Sequence, residues 1–183
     1  GPVDPAAFAG PLLYALIARE VLIGLMIGFS ARLLFASFEL AGEAIGLQMG
    51  LSFAGFFDPQ SGASNAVGRF VNTTALMAFV ALNGPLAMFA TVIQSMTVFP
   101  VGEPSFAFLS THTPVQLGQE MFALGLSLAL PFMALLLFVN IALGVISRVA
   151  PQLSIFAVGF PITVSAGLLL LTLGLPLLAT PFA

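Results

Sequence analysis

Charged side chains are so rare in this chain that long uncharged runs dominate its 183 residues. Only 6% of the residues are charged, whereas 60% are hydrophobic. Soluble domains carry about 25% charged residues, so this chain has too little polar surface to cover a water-soluble globule. The composition predicts a membrane protein, or part of an assembly at membrane level. It argues against a disordered chain and against an ordinary cytosolic enzyme.

The inventory of reactive side chains narrows the chemistry further. The chain has four scattered arginines and no lysine, so it offers no basic patch for nucleic acid and no lysine for a P-loop or a Schiff base. It has no cysteine, and its only histidine is His112. We therefore predict no catalytic triad, no histidine-based metal site, no bound cofactor and no nucleic-acid partner.

Proline and glycine divide the chain into predicted segments. These are an extended lead-in at residues 1–10, a long helical segment at 11–54, a loop at 55–69, a broken helical hairpin at 70–101, a polar loop at 102–115 and broken hydrophobic helices at 116–183. We expect a helix to start near Pro11, a break at Asn83-Gly84-Pro85 and a kink at Pro131. The predicted fold class is all-α, with short, broken and kinked hydrophobic helices that form helical hairpins and need protein around them. We interpret residues 1–183 as a single domain and as an ordered fragment of a longer protein.

One face of the segment 11–54 collects small and charged residues. At 100° per residue, six of them fall close to one line along the helix: Gly28, Arg32, Glu39, Glu43, Gly46 and Gly50. Glycines also recur at four-residue spacing, at Gly24 and Gly28 and again at Gly42, Gly46 and Gly50, and this spacing lets another helix approach closely. We call Gly42, Glu43, Gly46 and Gly50 the glycine seam. Two interpretations stay open: ordinary helix packing in a bilayer, or a seam that recognises a specific partner helix and buries Glu39 or Glu43 against it.

Arg148 lies alone between long uncharged stretches. An arginine inside a membrane is costly and often marks function. A buried Arg148 would need a carboxylate, for which the candidates are Glu39, Glu43 and Glu120. The alternative is that Arg148 caps the end of a helix and reaches the membrane interface.

Two stretches of the chain carry a resemblance to a known family. The first is residues 41–54, Ala-Gly-Glu-Ala-Ile-Gly-Leu-Gln-Met-Gly-Leu-Ser-Phe-Ala, followed by Asp58-Pro59. The second is residues 140–161, whose motif positions are Asn140, Arg148, Pro151, Gln152, Gly159, Phe160 and Pro161. Both stretches resemble the FliR family of export-gate components in the type III secretion apparatus of the bacterial flagellum. The resemblance covers essentially the whole chain. It departs from the family pattern at Glu43, where a glutamine is expected, and in lacking the family's N-terminal hydrophobic helices and C-terminal tail.

The resemblance implies a non-enzymatic, structural component of the flagellar protein-export gate, located in the bacterial inner membrane within the flagellar basal body. It implies a subunit that resembles a FliP-like half fused to a FliQ-like half. This subunit would assemble with FliP-type, FliQ-type and FlhB-type subunits in a helical hetero-oligomer. Unfolded exported flagellar proteins would be the substrate. The loop after the glycine seam corresponds to the family's pore plug, which assigns that role to Gly55, Phe56, Phe57, Asp58, Pro59 and Gly62.

Two alternatives remain at this stage. Broken helices and a lone arginine would also suit a fragment of a small-molecule or ion transporter. The homologous export-gate component of a virulence-type injectisome is the other alternative.

Overall fold

The computed structural model describes residues 11–51, 65–98, 114–150 and 158–179. The predictions made for residues 1–10, for the plug residues between 55 and 62, for His112 and for Pro151-Gln152 lie outside the described residues. Within the described ranges the chain forms five helices and no strand. The predicted all-α class is therefore confirmed.

The five helices differ greatly in length. They are α1 (Pro11–Gln48), α2 (Ala66–Ala81), α3 (Gly84–Val98), α4 (Pro114–Val149) and α5 (Phe160–Ala179). Helices α1 and α4 are long and apolar enough to cross a membrane, and α2 with α3 adds a third candidate span that is bent by 68°. At 1.5 Å per residue, α1 is about 57 Å long, which exceeds the hydrocarbon thickness of a bilayer.

Helix boundaries differ from the predicted segments at three places. Helix α1 ends at Gln48 rather than near residue 54, because Gly50 adopts a left-handed conformation with φ of 79°. Helix α2 begins at Ala66, inside the predicted loop 55–69, because Asn65 caps its first turn. Helix α4 begins at Pro114, inside the predicted polar loop 102–115.

Helix α4 continues through Pro131, so this proline does not end the helix, and the kink expected there stays a prediction. A proline in a helix removes one backbone hydrogen bond and clashes with the preceding turn. Pro131 itself is exposed, although Ala129 and Phe132 beside it are buried. The 36-residue helix tolerates that local cost.

The turn between α2 and α3 has a clear local cause. Asn83 has a positive φ of 59°, which asparagine tolerates better than most residues. Gly84 is buried against the ring of Phe79, where a Cβ would overlap the ring atoms. Pro85 takes the second position of α3, where its missing N–H costs nothing. The Asn-Gly-Pro sequence therefore ends one helix and starts the next.

Helix α1 is the centre of the bundle and packs mainly against α2 and α4. Helix α2 runs antiparallel to α1, since Asn65 contacts Glu43 and Phe79 stacks edge-on against Phe35 with ring centroids 5.4 Å apart. Helix α4 runs parallel to α1, and α5 returns along α4. The buried core joins all four of these helices: Phe38, Ala41, Ile45, Met49, Val67, Val71, Ala75, Leu128, Ala129, Phe132, Leu136 and Leu171.

Candidate functional site

The candidate site is the place where α1 ends and three other helices meet it. We call it the α1-end junction and define it as residues 42–50 at the end of α1, residues 65–68 at the start of α2, Asn140 of α4 and Thr163 of α5. It contains the glycine seam and one residue of the family motif. It also holds both ends of the segment 52–64, which includes the predicted plug residues.

The first turn of α2 is fixed to α1 by polar contacts. The backbone N–H of Asn65 donates to Oε1 of Glu43 at 2.7 Å. The side-chain amide of Asn65 donates to the backbone carbonyl of Glu43 at 3.2 Å. Its Oδ1 atom accepts from the N–H of Gly68 at 2.7 Å, which is the usual N-cap bond. Asn65 therefore caps α2 and binds α1 at the same time.

Two glycines of the seam make this close approach possible. A Cβ added to Gly42 would lie 2.6 Å from the Cα of Gly68 and 3.0 Å from the carbonyl oxygen of Val67. A Cβ added to Gly46 would overlap the side chain of Asn65. Both glycines are buried, so this part of the seam lies against α2 of the same chain.

The other part of the glycine-bearing face is open. Neither Gly24 nor Gly28 has any atom within 4 Å of where a Cβ would stand. Arg32 and Glu39 form an ion pair at 3.8 Å, and their side chains are 66% and 36% exposed. The two glycine groups thus have different surroundings, and Glu43 rather than Glu39 contacts the packed helix.

The last carbonyls of α1 receive donors from α4 and α5. The final turn of any helix leaves carbonyls without partners inside the helix, which is costly in apolar surroundings. The Nδ2 group of Asn140 donates to the carbonyl of Gln48 at 3.2 Å. The buried hydroxyl of Thr163 lies 3.2 Å from the carbonyl of Met49 and 3.0 Å from that of Phe160. These side chains close the end of α1.

The residues of the family motif are not gathered at one point. Asn140 is part of the α1-end junction, and Gly159 is buried just ahead of α5, while Phe160 and Pro161 are exposed. Arg148 is exposed in the last turn of α4.

The predicted carboxylate partner of Arg148 is not found among the described residues. Of the three candidates, Glu39 pairs with Arg32, Glu43 accepts from Asn65, and Glu120 forms no ion pair in the described part of the chain. Arg148 has instead the position of a helix-end cation, since its exposed side chain lies beside the carbonyl end of α4.

The junction offers hydrogen bonds and close packing. No cluster of three metal-ligating side chains occurs within the described ranges. Sequence reasoning missed the roles of Asn65, Gly68 and Thr163. Asn65 could have been found, because asparagine directly before an apolar helical run is a helix-start signal. Thr163 bonds a residue 114 positions away, and no local pattern predicts such a pairing.

The fold and the junction define a class of protein. It is an all-helical protein with membrane-length apolar helices, which are held together by hydrogen bonds and close packing where α1 ends. Sequence comparison places the chain more narrowly. The family model "Bacterial export proteins, family 1" matches residues 2–183, and the chain belongs to this family.

Several curated relatives share most of the chain, and each is named flagellar biosynthetic protein FliR. That of Pectobacterium carotovorum is 46% identical over 172 residues, which cover 92% of this chain and 64% of the relative. The Escherichia coli K12 protein is 44% identical over 91% of this chain and 64% of its own length. The Aquifex aeolicus protein is 34% identical over 97% of this chain and 68% of its own length. The chain thus spans about two thirds of the length of these relatives.

Proposed function

We propose that this chain is a structural, non-enzymatic part of the flagellar type III protein-export gate, and that it forms part of the protein-conducting channel and its plug. Family membership and relatives named for flagellar biosynthesis support an export role. The two membrane-length helices and the bent α2–α3 pair support a membrane location, for which we propose the bacterial inner membrane at the basal body.

The observation that carries the proposal is the anchoring of the segment 52–64 at both ends. The chain leaves α1 at Gln48, where Asn140 and Thr163 bond the carbonyls of Gln48 and Met49. It returns at Asn65, which is bonded to Glu43. Glu43 and Met49 are six residues apart, or about 9 Å along the helix axis. The described residues on either side of the segment 52–64 are therefore both held at this end of the bundle.

The composition of this segment suits a plug. Phe56 and Phe57 supply apolar bulk, and an apolar constriction stops ions by excluding water without any charged lock. Gly55 and Gly62 supply backbone freedom, and Asp58-Pro59 favours a turn. Thirteen residues between close ends reach at most about 20 Å away and back, enough to cross a narrow pore.

We further propose that the chain acts with FliP-type, FliQ-type and FlhB-type subunits, and that unfolded exported flagellar proteins pass through the shared pore. Many large apolar side chains on the described helices are exposed, and those on α3 include Leu86, Phe89, Ile93 and Met96. Such a surface requires lipid or other subunits around it. The flagellar names of the relatives favour this role over an injectisome component or a transporter fragment.

Co-expression of the full-length protein with its candidate partners tests the proposal. Native mass spectrometry of the complex extracted in detergent should show a defined hetero-oligomer containing this chain. A full-length protein that stays monomeric with these partners present, and that transports a small solute when reconstituted alone, would favour the transporter instead.

A further inference from the structure

The start of α2 lacks one half of a common helix-capping arrangement. In a capping box, the N-cap side chain bonds the N–H of the third helical residue, and a glutamate or glutamine at that third position bonds the N-cap N–H in return. In α2 the first half is present, because Asn65 Oδ1 accepts from the N–H of Gly68 at 2.7 Å. The second half cannot come from Gly68, which has no side chain.

Glu43 of α1 supplies the missing acceptor. Its Oε1 atom accepts from the N–H of Asn65 at 2.7 Å, which is the bond that a residue at position 68 would normally make. A Cβ added to Gly68 would lie 2.6 Å from this Oε1 atom, 3.2 Å from Cδ and 3.4 Å from Cγ of Glu43. The carboxylate of Glu43 therefore stands where the side chain of a capping-box residue would start.

The charge of Glu43 fits this position. A carboxylate is stabilised at the N-terminal end of a helix by the helix dipole and by free N–H groups. The ion pairs among the described residues use Arg19 and Arg32, so no described arginine shares the carboxylate of Glu43. Its compensation comes from the start of α2.

We propose that Glu43 is the capping carboxylate of α2, delivered across the helix interface, and that it sets the register of α1 against α2. Much of this interface is apolar, with Phe38, Ile45, Val67 and Val71 in the core. Apolar side chains can repack after a slip, whereas a displaced Glu43 and the N–H of Asn65 would both lose their partner. The proposal concerns the fold of the hairpin and holds whether or not the chain forms an export gate.

Moving the carboxylate from one helix to the other tests the proposal. In the full-length protein, Glu43→Ala removes the acceptor, and Gly68→Glu forces a side chain into the space that Glu43 occupies. The double variant Glu43→Ala/Gly68→Glu vacates that space and rebuilds the capping box within α2. Glu43→Gln keeps an acceptor oxygen and serves as the conservative control.

Hydrogen exchange of the Asn65 amide is the first readout. We expect exchange to become at least about tenfold faster in Glu43→Ala, to change less in Glu43→Gln and to return towards wild type in the double variant. An Asn65 amide that stays protected in Glu43→Ala would overturn the capping role. The capping role would also be overturned if the double variant lost as much protection of the Asn65 amide as the two single variants lose together.

Spin-label distances provide the readout for register. Leu47 of α1 and Phe70 of α2 are 61% and 47% exposed, so Leu47→Cys and Phe70→Cys place labels outside the core. Residues 1–183 contain no cysteine, so labels in this region attach only at the introduced pair. We expect a single distance in the parent and, in Glu43→Ala, a second population displaced by about 5 Å, one helical turn. An unchanged single distance in both Glu43→Ala and Glu43→Gln would refute control of register.

Discussion

A single methyl group at Gly42 should disrupt the contact between α1 and α2. In Gly42→Ala, the new Cβ would lie 2.6 Å from the Cα of Gly68 and 3.1 Å from its nitrogen, where ordinary contacts are 3.4–4 Å. These neighbours are backbone atoms, so relief requires α2 to retreat by about 1 Å. Such overpacking costs about 1–3 kcal/mol. The same shift stretches the 2.7 Å bond between Asn65 and Glu43, a bond to a charged group whose loss costs about 1.5–3 kcal/mol.

The helix propensity of alanine offsets about 1 kcal/mol of this cost, which leaves a net destabilisation of about 1.5–5 kcal/mol. We expect the thermal midpoint of the full-length protein in detergent, followed by circular dichroism, to fall by about 3–20 °C. Gly28→Ala is the matched control, because it makes the same change in the same helix where nothing lies within 4 Å. The control should be neutral or slightly stabilising. Equal midpoints for Gly42→Ala and Gly28→Ala would refute the close contact.

Two further predictions concern the α1-end junction and the end of α4. Thr163→Val keeps the shape of the side chain but leaves the carbonyl of Met49 without its donor, so we expect the free energy of unfolding to fall by about 1–2 kcal/mol. Thr172→Val is the control, because this exposed hydroxyl bonds only its own helix. It should lower the free energy of unfolding by less than about 0.5 kcal/mol. Equal losses would show that the bond to Met49 contributes nothing. Arg148→Lys and Arg148→Ala should each change stability by less than about 0.5 kcal/mol, because Arg148 is exposed and has no ion pair among the described residues. A loss above about 2 kcal/mol in Arg148→Ala alone would indicate a hidden partner.

The all-α fold could be predicted because the signals for it are local. The scarcity of charge indicates apolar helices, and Asn83-Gly84-Pro85 combines a residue that tolerates a positive φ, a glycine and a helix-starting proline. Pro131 lies within α4, so this proline, unlike Pro85, does not mark a helix boundary.

The candidate site was only half predictable, for a different reason. Helical periodicity identified the face that carries Glu43 and Gly46, and four-residue spacing added Gly42, but neither pattern says which neighbour covers a face. The neighbour is the start of α2, and the bonds that define the junction join residues 22, 92 and 114 positions apart. Such pairings depend on how the helices pack, and the spacing of residues in the sequence does not predict them.

Membrane conductance tests the central claim, that the segment following the glycine seam closes a protein-conducting pore. The variant changes Phe56 and Phe57 to glycine in the full-length protein, expressed with its proposed partner subunits and reconstituted in planar bilayers. We predict that the complex assembles normally and that its resting ion conductance rises severalfold above that of the unmodified complex, since the apolar bulk that excludes water is gone. If the complex assembles without these two phenylalanines and its resting ion conductance stays equal to that of the unmodified complex, the claim is contradicted. The seal would then belong to another subunit.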